Sequence, residues 1–296
     1  MTRQHVIGMF DSGVGGLTVM KRIREQLPDV RIIYVGDTAR VPYGNRGKEE
    51  LIRFGEEIIT FLISQGAEAI VAACNTSSAV ALPTLRERFD IPVIGTIDQG
   101  ARLAVQTTRR GRIGLIATEA TVRSKAYSLA VSQALAKGVL PREAKLRAAY
   151  QNGEEAISLV KAQGCPLFVP IVEAGLANSV EAKVIAKLYL GPLSSADVDS
   201  VILGCTHYPF LAPVIREFLG PDVDLVDPAE AMVQELRDVL ACLEEREAGS
   251  PSPAGRGNWQ VRYYVSGYPE LFAQVGGTLL DEPITGVRQI NWADAT

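Results

Sequence analysis

Two cysteines occupy the same kind of position in distant parts of this 296-residue chain. Cys74 follows the apolar run Ala-Ile-Val-Ala-Ala and precedes Asn-Thr-Ser-Ser, and Cys205 follows Val-Ile-Leu-Gly and precedes Thr-His-Tyr-Pro. Each apolar run predicts a buried strand, so each thiol is expected at the turn between a strand and the next helix. The positive end of a helix lowers the pKa of a nearby thiol, and the thiolate is the reactive form. The pattern therefore predicts two reactive cysteines.

Two such thiols, one from each part of the chain, suit a particular proton transfer. A proton on a tetrahedral carbon is removed from one face and replaced from the other only by two acid/base groups on opposite sides. Cysteine serves as either group because it alternates between thiol and thiolate near neutral pH once its pKa is tuned. The pair therefore indicates racemisation without a cofactor.

Other classes of protein fit part of this pattern. A hydrolase that uses Cys205 or Cys74 with His207 and Asn75 would leave the second thiol idle. A two-lobed amino-acid-binding protein would explain two lobes and an anion cradle, but not the paired thiols. A metal site formed by the two cysteines, His207 and Asp11 is conceivable but lacks the close pairs of ligands that such sites usually have.

Polar segments also follow the first two predicted strands. Asp11-Ser12 leads into a glycine-rich turn, whose backbone can approach a ligand while the hydroxyl and amides hold a small anion. Thr18 stands where a dinucleotide-binding fingerprint needs a glycine, so this turn does not predict a nucleotide site. The Asp11 carboxylate could cap a helix, accept a substrate ammonium or assist a base. Residues 37–44, Asp-Thr-Ala-Arg-Val-Pro-Tyr-Gly, form a second candidate turn.

Four further residues differ in whether the sequence around them indicates a chemical role. His207 lies two residues after Cys205, where it could tune that thiol or relay its proton. Glu173 is either a solvated loop acid or a functional carboxylate, and the residues around it do not decide between the two. Cys165 and Cys242 lack the strand-end pattern and are predicted to be small core residues without a chemical role.

The chemistry requires strands and helices that bring these residues to the edge of a sheet. Apolar runs predict strands at Val6–Phe10, Ile32–Val35, Ala69–Ala73, Pro92–Gly95, Arg112–Ile116, Ser200–Leu203 and Trp259–Ser266. Helical spacing predicts helices at Leu17–Leu27, Lys48–Ser64, Ala79–Phe89, Ser124–Ala136, Glu154–Gln163, Ser179–Leu190, Ala229–Glu247 and Pro269–Val275. Strands that alternate with helices favour an α/β fold with mostly parallel sheets covered by helices. Residues 249–257, rich in Gly, Pro and Ser, predict an exposed flexible loop.

The chain also repeats itself. The segment that ends at Cys74 matches the segment that ends at Cys205, and Pro-x-x-Arg-Glu follows each of them. A second pair of apolar segments matches in the same order. We therefore predict two related, pseudo-symmetric α/β domains, residues 1–98 plus 209–296 and residues 99–208, with the active site in the cleft between them.

Composition narrows the class of protein and its surroundings. Apolar residues make up 47% and charged residues 22% of the chain, which is typical of a globular protein. A net charge of −4 argues against a nucleic-acid partner or an anionic membrane surface, and two histidines are too few for a multi-histidine metal site. No apolar run reaches the length of a membrane span, and the first residues lack the pattern of an export signal. We therefore expect a cytoplasmic protein with reduced thiols and no membrane partner.

Four motifs resemble those of glutamate racemases, which belong to the cofactor-independent aspartate/glutamate racemase superfamily. They are F-D-S-G-V-G-G-L-T-V (10–19), Y-V-G-D-T-A-R-V-P-Y-G (34–44), A-C-N-T-S-S-A (73–79) and G-C-T-H-Y-P (204–209). The Cys-Asn-Thr and Gly-Cys-Thr triplets mark the superfamily, whereas the second and fourth motifs are specific to glutamate racemases. The resemblance implies interconversion of L- and D-glutamate, with D-glutamate supplied to peptidoglycan synthesis. A racemase of a related amino acid such as aspartate is the nearest alternative.

The resemblance also implies a role for each matching residue. Cys74 and Cys205 would be the two acid/base groups, with Cys74 taking the α-proton of D-glutamate, and Asp11 and His207 would assist them. The substrate site would be lined by Asp11, Ser12, Tyr43, Gly44, Asn75, Thr76, Thr118, Thr121, Thr206 and His207, with Asp37 and Glu173 nearby. The implied enzyme needs no cofactor and no metal, and we expect it to form a homodimer.

Overall fold

In the computed structural model, which describes residues 4–246 and 259–293, the strands form two all-parallel sheets. The strands are β1 Val6–Asp11, β2 Arg31–Gly36, β3 Ala69–Ala72, β4 Val93–Gly95, β5 Arg112–Ala117, β6 Ser158–Gly164, β7 Ser200–Gly204, β8 Asp224–Val226, β9 Val261–Val265 and β10 Arg288–Gln289. The helices are α1 Leu17–Gln26, α2 Lys48–Ser64, α3 Asn75–Val80, α4 Leu82–Arg88, α5 Thr96–Thr107, α6 Glu119–Ser124, α7 Ala126–Ala136, α8 Ala144–Gln151, α9 Phe168–Glu173, α10 Val180–Ser195, α11 Ala212–Leu219, α12 Pro228–Arg246 and α13 Pro269–Leu280. The predicted α/β fold is confirmed. None of the helices in the described ranges is long and apolar enough to cross a membrane.

The first compact unit comprises Met1–Gly95 and Met232–Thr296. Its sheet has the strand order β10-β9-β2-β1-β3-β4. Every residue of β1 is buried, and this strand lies between β2 and β3. Leu51 and Leu62 on the apolar stripe of α2 belong to the same core as Phe10 of β1. Burial on both faces of the sheet therefore explains the continuous apolar run of this strand.

The second compact unit comprises Thr96–Ala231, and its sheet has the order β6-β5-β7-β8. All residues of β7 are buried. Asp199 precedes β7 and is 2% exposed; its carboxylate accepts hydrogen bonds from Thr108 Oγ1 at 2.7 Å, Arg109 N at 2.9 Å and Arg110 N. This buried carboxylate ties the beginning of β7 to the turn that leads into β5.

One predicted element is wrong. The segment Glu154–Gln163 is not a helix, because Ser158–Gly164 forms strand β6. The apolar residues of this short window suit both helical and strand periods, and pairing with β5 along the edge of the sheet decides for the strand. Strands β8 and β10 are three and two residues long and were not predicted from the sequence. The loop predicted at residues 249–257 lies outside the described residues.

The two units differ in part from the predicted domains. The first break falls after Gly95, close to the predicted residue 98, whereas residues 209–231 lie in the second unit. The physical reason is that β8 pairs with β7 and α11 packs against α10, so both elements complete the second sheet and its helical cover. The exact domain division remains a prediction.

Candidate active site

The segments that follow three adjacent strands of the first sheet carry three of the predicted residues. Asp11 ends β1, Asp37 follows β2, and Cys74 follows β3 with one residue between. The Asp37 backbone N–H donates to the Asp11 carbonyl at 3.0 Å, and the Ala73 N–H donates to the Phe10 carbonyl at 2.9 Å. Because β2, β1 and β3 are neighbours and parallel, these three residues lie at the same edge of the sheet.

The Asp11 carboxylate is fully buried and holds the glycine-rich turn that follows it. Its Oδ2 accepts a hydrogen bond from Gly13 N–H at 2.9 Å, and the buried Tyr34 hydroxyl donates to the Gly13 carbonyl at 2.8 Å. A Cβ on Gly16 would lie 2.6 Å from Cβ of Asp11, so only glycine lets the start of α1 approach so closely. The turn, with the half-buried Ser12 in it, is therefore held at a defined distance from the carboxylate.

Cys74 lies at the N-cap of α3 and is 6% exposed. Asn75, Thr76 and Ser77 follow it and are buried in the first turn of this helix. The helix begins four residues before the predicted Ala79–Phe89 and is separated from α4 at Ala81. The polar side chains after the thiol thus belong to the helix itself, which fixes their positions relative to Cys74.

The second polar turn places Tyr43 and Gly44 in the same unit. Residues Tyr43–Asn45 form a 3-10 turn that packs against α3. The Tyr43 hydroxyl donates to Oδ2 of the fully buried Asp37 at 2.5 Å. Burial raises the pKa of Tyr43 well above its usual value, and the charges of Asp37 and Cys74 add to this effect. Tyr43 is therefore a neutral donor, close enough to Cys74 for the two groups to interact electrostatically.

In the second unit, Cys205 begins a chain of polar contacts. Its Sγ lies 3.7 Å from His207 Nδ1, and His207 Nε2 lies 3.0 Å from Glu173 Oε1. The side chain of His207 is 5% exposed and that of Glu173, the last residue of α9, is 43% exposed. A carboxylate only accepts hydrogen bonds, so Nε2 of His207 donates to Glu173, and in the neutral tautomer this leaves Nδ1 as the acceptor that faces the thiol. The imidazole can therefore take the proton of Cys205 while Glu173 compensates the charge that the ring gains.

Close approach of two strands sets the position of Cys205. A Cβ on Gly204 would lie 2.8 Å from Cβ of Ala117, so glycine at this position lets β5 and β7 come together just before the thiol. Thr118 follows β5 and caps α6, with its Oγ1 3.3 Å from Thr121 N and 3.0 Å from Thr121 Oγ1. The two threonine hydroxyls and the Cys205 thiol therefore follow neighbouring strands of the second sheet.

The two remaining cysteines differ from each other. Cys165 is fully buried, as predicted, but it directly follows β6 and so stands at a strand end that the wrongly predicted helix concealed. Its thiol donates to the Gln163 carbonyl at 3.6 Å. Burial, with a further contribution from Cys205, raises the pKa of Cys165, which keeps this thiol protonated and unreactive. Cys242 is exposed, so the prediction of a core position is wrong for this residue.

Within each unit, the predicted site residues lie in segments that follow the carboxyl ends of strands. The first unit holds Asp11, Ser12, Asp37, Tyr43, Gly44, Cys74, Asn75 and Thr76. The second holds Thr118, Thr121, Glu173, Cys205, Thr206 and His207. Glu173, which the sequence left undecided, pairs with a buried imidazole. Across residues 4–246 and 259–293, no three His, Cys, Asp or Glu side chains are grouped so as to hold a metal ion. The catalytic and binding roles of these residues remain predictions.

The arrangement is an α/β architecture with a buried thiol after a strand in each of two parallel-sheet units. The sequence model of the Asp/Glu/hydantoin racemase family matches residues 7–236. A curated glutamate racemase from Desulforudis audaxviator is 45% identical over 288 residues, which cover 95% of this chain and 97% of the relative. The chain belongs to the Asp/Glu/hydantoin racemase family.

Solved structures extend this comparison. The glutamate racemase from Thermus thermophilus in complex with β-chloro-D-alanine is 39% identical, with a TM-score of 0.77 and coverage of 99% of both chains. The glutamate racemase from Francisella tularensis in complex with D-glutamate is 31% identical, with a TM-score of 0.80 and the same coverage. The likeness therefore extends over nearly the whole chain.

Proposed function

We propose that this chain is a glutamate racemase that uses two cysteine thiols and no cofactor. The observation that supports the proposal most directly is the matching position of Cys74 and Cys205, each buried just after a strand of its own parallel sheet. The relatives named above are glutamate racemases, which favours glutamate over aspartate as the substrate. The product D-glutamate serves peptidoglycan synthesis, as the resemblance of the sequence implies.

Each thiol acts on one enantiomer. The Cys205 thiolate takes the α-proton of L-glutamate, the electron pair of the broken C–H bond stays on the α-carbon, and the Cys74 thiol delivers a proton to the opposite face. For D-glutamate the roles are reversed, and Cys74 takes the proton. The two thiols end each turnover with their protonation states exchanged, and the reverse reaction or exchange with solvent restores them.

Two polar groups assist the thiols. His207 accepts the proton of Cys205 through Nδ1, and its bond to Glu173 favours the protonated ring. Asp11 assists Cys74; the support for this role is its complete burial at the end of the strand that neighbours β3.

Polar side chains beside each thiol bind the substrate. Buried amide and hydroxyl groups suit an anionic amino acid, because a carboxylate taken out of water needs hydrogen-bond donors. Buried groups of this kind are supplied by Tyr43, Asn75, Thr76, Thr121 and Thr206, and further groups by the half-buried Ser12, Thr118 and the backbone at Gly44.

Solvent exchange of the α-hydrogen tests the proposal. In deuterium oxide and without added cofactor, either enantiomer of glutamate should acquire deuterium at the α-carbon while its circular dichroism decays to zero, and aspartate should react far more slowly. A protein that binds glutamate but shows neither exchange nor decay is not a racemase.

Cysteine variants test the two-thiol mechanism. Cys74→Ser and Cys205→Ser should each abolish racemisation, because serine is not ionised near neutral pH. Cys242→Ser is the matched control, since this thiol is exposed and its replacement should leave activity unchanged. Full activity in either of the first two variants would contradict the mechanism, whereas a hydrolase built on Cys205 and His207 would survive the loss of Cys74.

We further infer that the enzyme is a homodimer in the cytoplasm. Val180, Val184 and Leu188 are 73%, 65% and 69% exposed and form an apolar stripe at four-residue spacing along α10, which a second copy could cover. Reduced thiols, which the chemistry needs, are maintained in the cytosol. Light scattering after gel filtration should give twice the chain mass, and Val184→Glu should give the monomer; a monomeric wild type would contradict the dimer.

A further inference from the structure

The segment 288–293 lies beyond the residues 7–236 that match the family model, yet it is ordered against the first sheet. Strand β10 pairs with β9, and Ile290 N–H donates to the Val265 carbonyl at 2.7 Å. The Ile290 side chain is buried in the same core as Val35 and Tyr43. Because of these contacts, the segment runs beyond the carboxyl ends of β9 and β2, and Trp292 lies against the polar turn at residues 37–44.

Trp292 contacts this turn in two ways. Its Nε1 donates a hydrogen bond to Oδ1 of Asp37 at 3.1 Å. The guanidinium carbon of Arg40 lies 4.8 Å from the centre of the Trp292 ring and 4.0 Å from that of Phe54. The ring also packs edge-on against Phe61 of α2, with centroids 6.2 Å apart. Trp292 therefore supplies both a hydrogen-bond donor and an aromatic face to the turn.

Asp37 is the centre of this network. Its carboxylate is fully buried and accepts from Trp292, from Arg40 Nε at 2.7 Å and from the Tyr43 hydroxyl at 2.5 Å. Arg40 also donates to Glu57 of α2. Burial opposes the charge of Arg40, but Asp37 and Glu57 outweigh it and raise the pKa of Arg40. A buried carboxylate needs all of these donors, because an unmatched charge inside the protein is strongly unfavourable.

We propose that Trp292 is a positioning residue for substrate binding, which acts through Asp37 to hold Tyr43 and Gly44 in place. The inference rests on the proposed function, in which Tyr43 and Gly44 contact glutamate. Loss of the indole N–H leaves Asp37 with one donor fewer, so the carboxylate holds the Tyr43 phenol less firmly. Substrate and transition state are held by the same turn, so a looser turn raises KM and leaves kcat nearly unchanged.

Two substitutions separate the contacts of the indole. Trp292→Phe keeps an aromatic face over Arg40 but removes the donor to Asp37, whereas Trp292→Ala removes both. Loss of one hydrogen bond predicts a KM for glutamate raised about three- to tenfold in the phenylalanine variant, more in the alanine variant, with kcat within about twofold. Trp259→Phe is the matched control, because Trp259 contacts Arg31 and Arg262 at the other end of β9. An unchanged KM, or a fall in kcat alone, would overturn the inference.

A double-mutant comparison tests the route through Asp37. Asp37→Ala leaves no acceptor for the indole N–H, so if Trp292 acts through that carboxylate, Trp292→Phe added to Asp37→Ala should raise KM no further than Asp37→Ala alone. If the factor by which KM rises in the double variant equals the product of the two single-variant factors, Trp292 acts by another route and the proposal is contradicted.

Hydrogen exchange provides a readout that needs no catalysis. Backbone amides of residues 38–47 should exchange at least about fivefold faster in Trp292→Phe than in the wild type or Trp259→Phe, because opening of the turn becomes easier. Unchanged exchange in this segment would overturn the inference even if the wild type did not racemise glutamate. An inactive wild type with faster exchange in the variant would instead contradict only the proposed function.

Discussion

Replacement of Glu173 by glutamine tests whether the contacts from Cys205 through His207 to Glu173 serve catalysis. The substitution keeps the size of the side chain and an oxygen that can accept from His207 Nε2, which lies 3.0 Å from Glu173 Oε1. It removes only the negative charge that stabilises the protonated imidazole. We expect Glu173→Gln to fold normally and to racemise glutamate more slowly.

The size of the effect follows from the distance and the exposure. Two unit charges 3.0 Å apart attract by about 1.4 kcal/mol in a medium as polar as water. Because Glu173 is 43% exposed, solvent and salt reduce this attraction to about 1 kcal/mol. The value of kcat/KM should therefore fall about three- to tenfold.

Isotope effects show which thiol is affected. The two enantiomers have equal free energy, so kcat/KM must fall by the same factor in both directions. The proton transfer at Cys205 alone becomes slower, so the primary deuterium isotope effect should rise for L-glutamate labelled at the α-carbon. It should fall for labelled D-glutamate, because the step that breaks its labelled bond occurs at Cys74 and limits the rate less.

Glu217→Gln is the matched control, because Glu217 pairs with Lys183 on the surface of the same unit. It should leave kcat/KM unchanged, and added salt should reduce the effect of Glu173→Gln. A kcat/KM of Glu173→Gln within twofold of the wild type would refute the catalytic role of the pair. Isotope effects that change in the opposite sense would instead assign Cys205 to D-glutamate.

Three further measurements test the description of the fold. Burial, with the charges of Asp11 and other neighbours adding, raises the pKa of Tyr34. The unfolded chain therefore loses the phenol proton near pH 10, while the folded protein keeps it. The free energy of unfolding should fall as pH rises, by up to about 1.4 kcal/mol per pH unit more than in Tyr34→Phe. Urea unfolding between pH 9 and 11 would contradict this account if the free energy of unfolding fell equally steeply with pH in the wild type and in Tyr34→Phe. Asp199→Ala should lose about 2–4 kcal/mol in urea unfolding, since it leaves buried donors unpaired, and a loss below about 1 kcal/mol would contradict that account. A thiol reagent should label Cys242 in the native protein and Cys165 only after unfolding, as mass spectrometry would show; rapid native labelling of Cys165 would count against its burial.

Short-range patterns predicted the elements that depend on burial alone. The apolar runs at Val6–Phe10 and Ser200–Leu203 lie in strands β1 and β7, which are buried throughout. Each lies inside a parallel sheet, where both faces are covered and every position favours an apolar side chain. Strand β6 was wrongly predicted as a helix, because it lies at a sheet edge with half-exposed residues. Its sequence pattern does not distinguish a strand from a helix.

In the candidate site, too, some features were predictable from the local sequence and others were not. The turns that carry Asp11, Cys74 and Cys205 were predictable, because a polar residue directly after an apolar run marks the end of a buried strand. The partners of these residues were not. Trp292 is 255 positions from Asp37, and no local pattern relates the two.

Local residue patterns were enough to indicate the parallel α/β architecture, the two thiols and the family, because these depend on burial and on motifs that are contiguous in the chain. Tertiary structure alone paired Glu173 with His207, placed Cys165 at a strand end and brought Trp292 to Asp37. Each of these outcomes depends on which strand lies beside which, and on loops that meet only after the sheets have formed. Such contacts are selected by the packing of the whole unit, so no short stretch of sequence contains them.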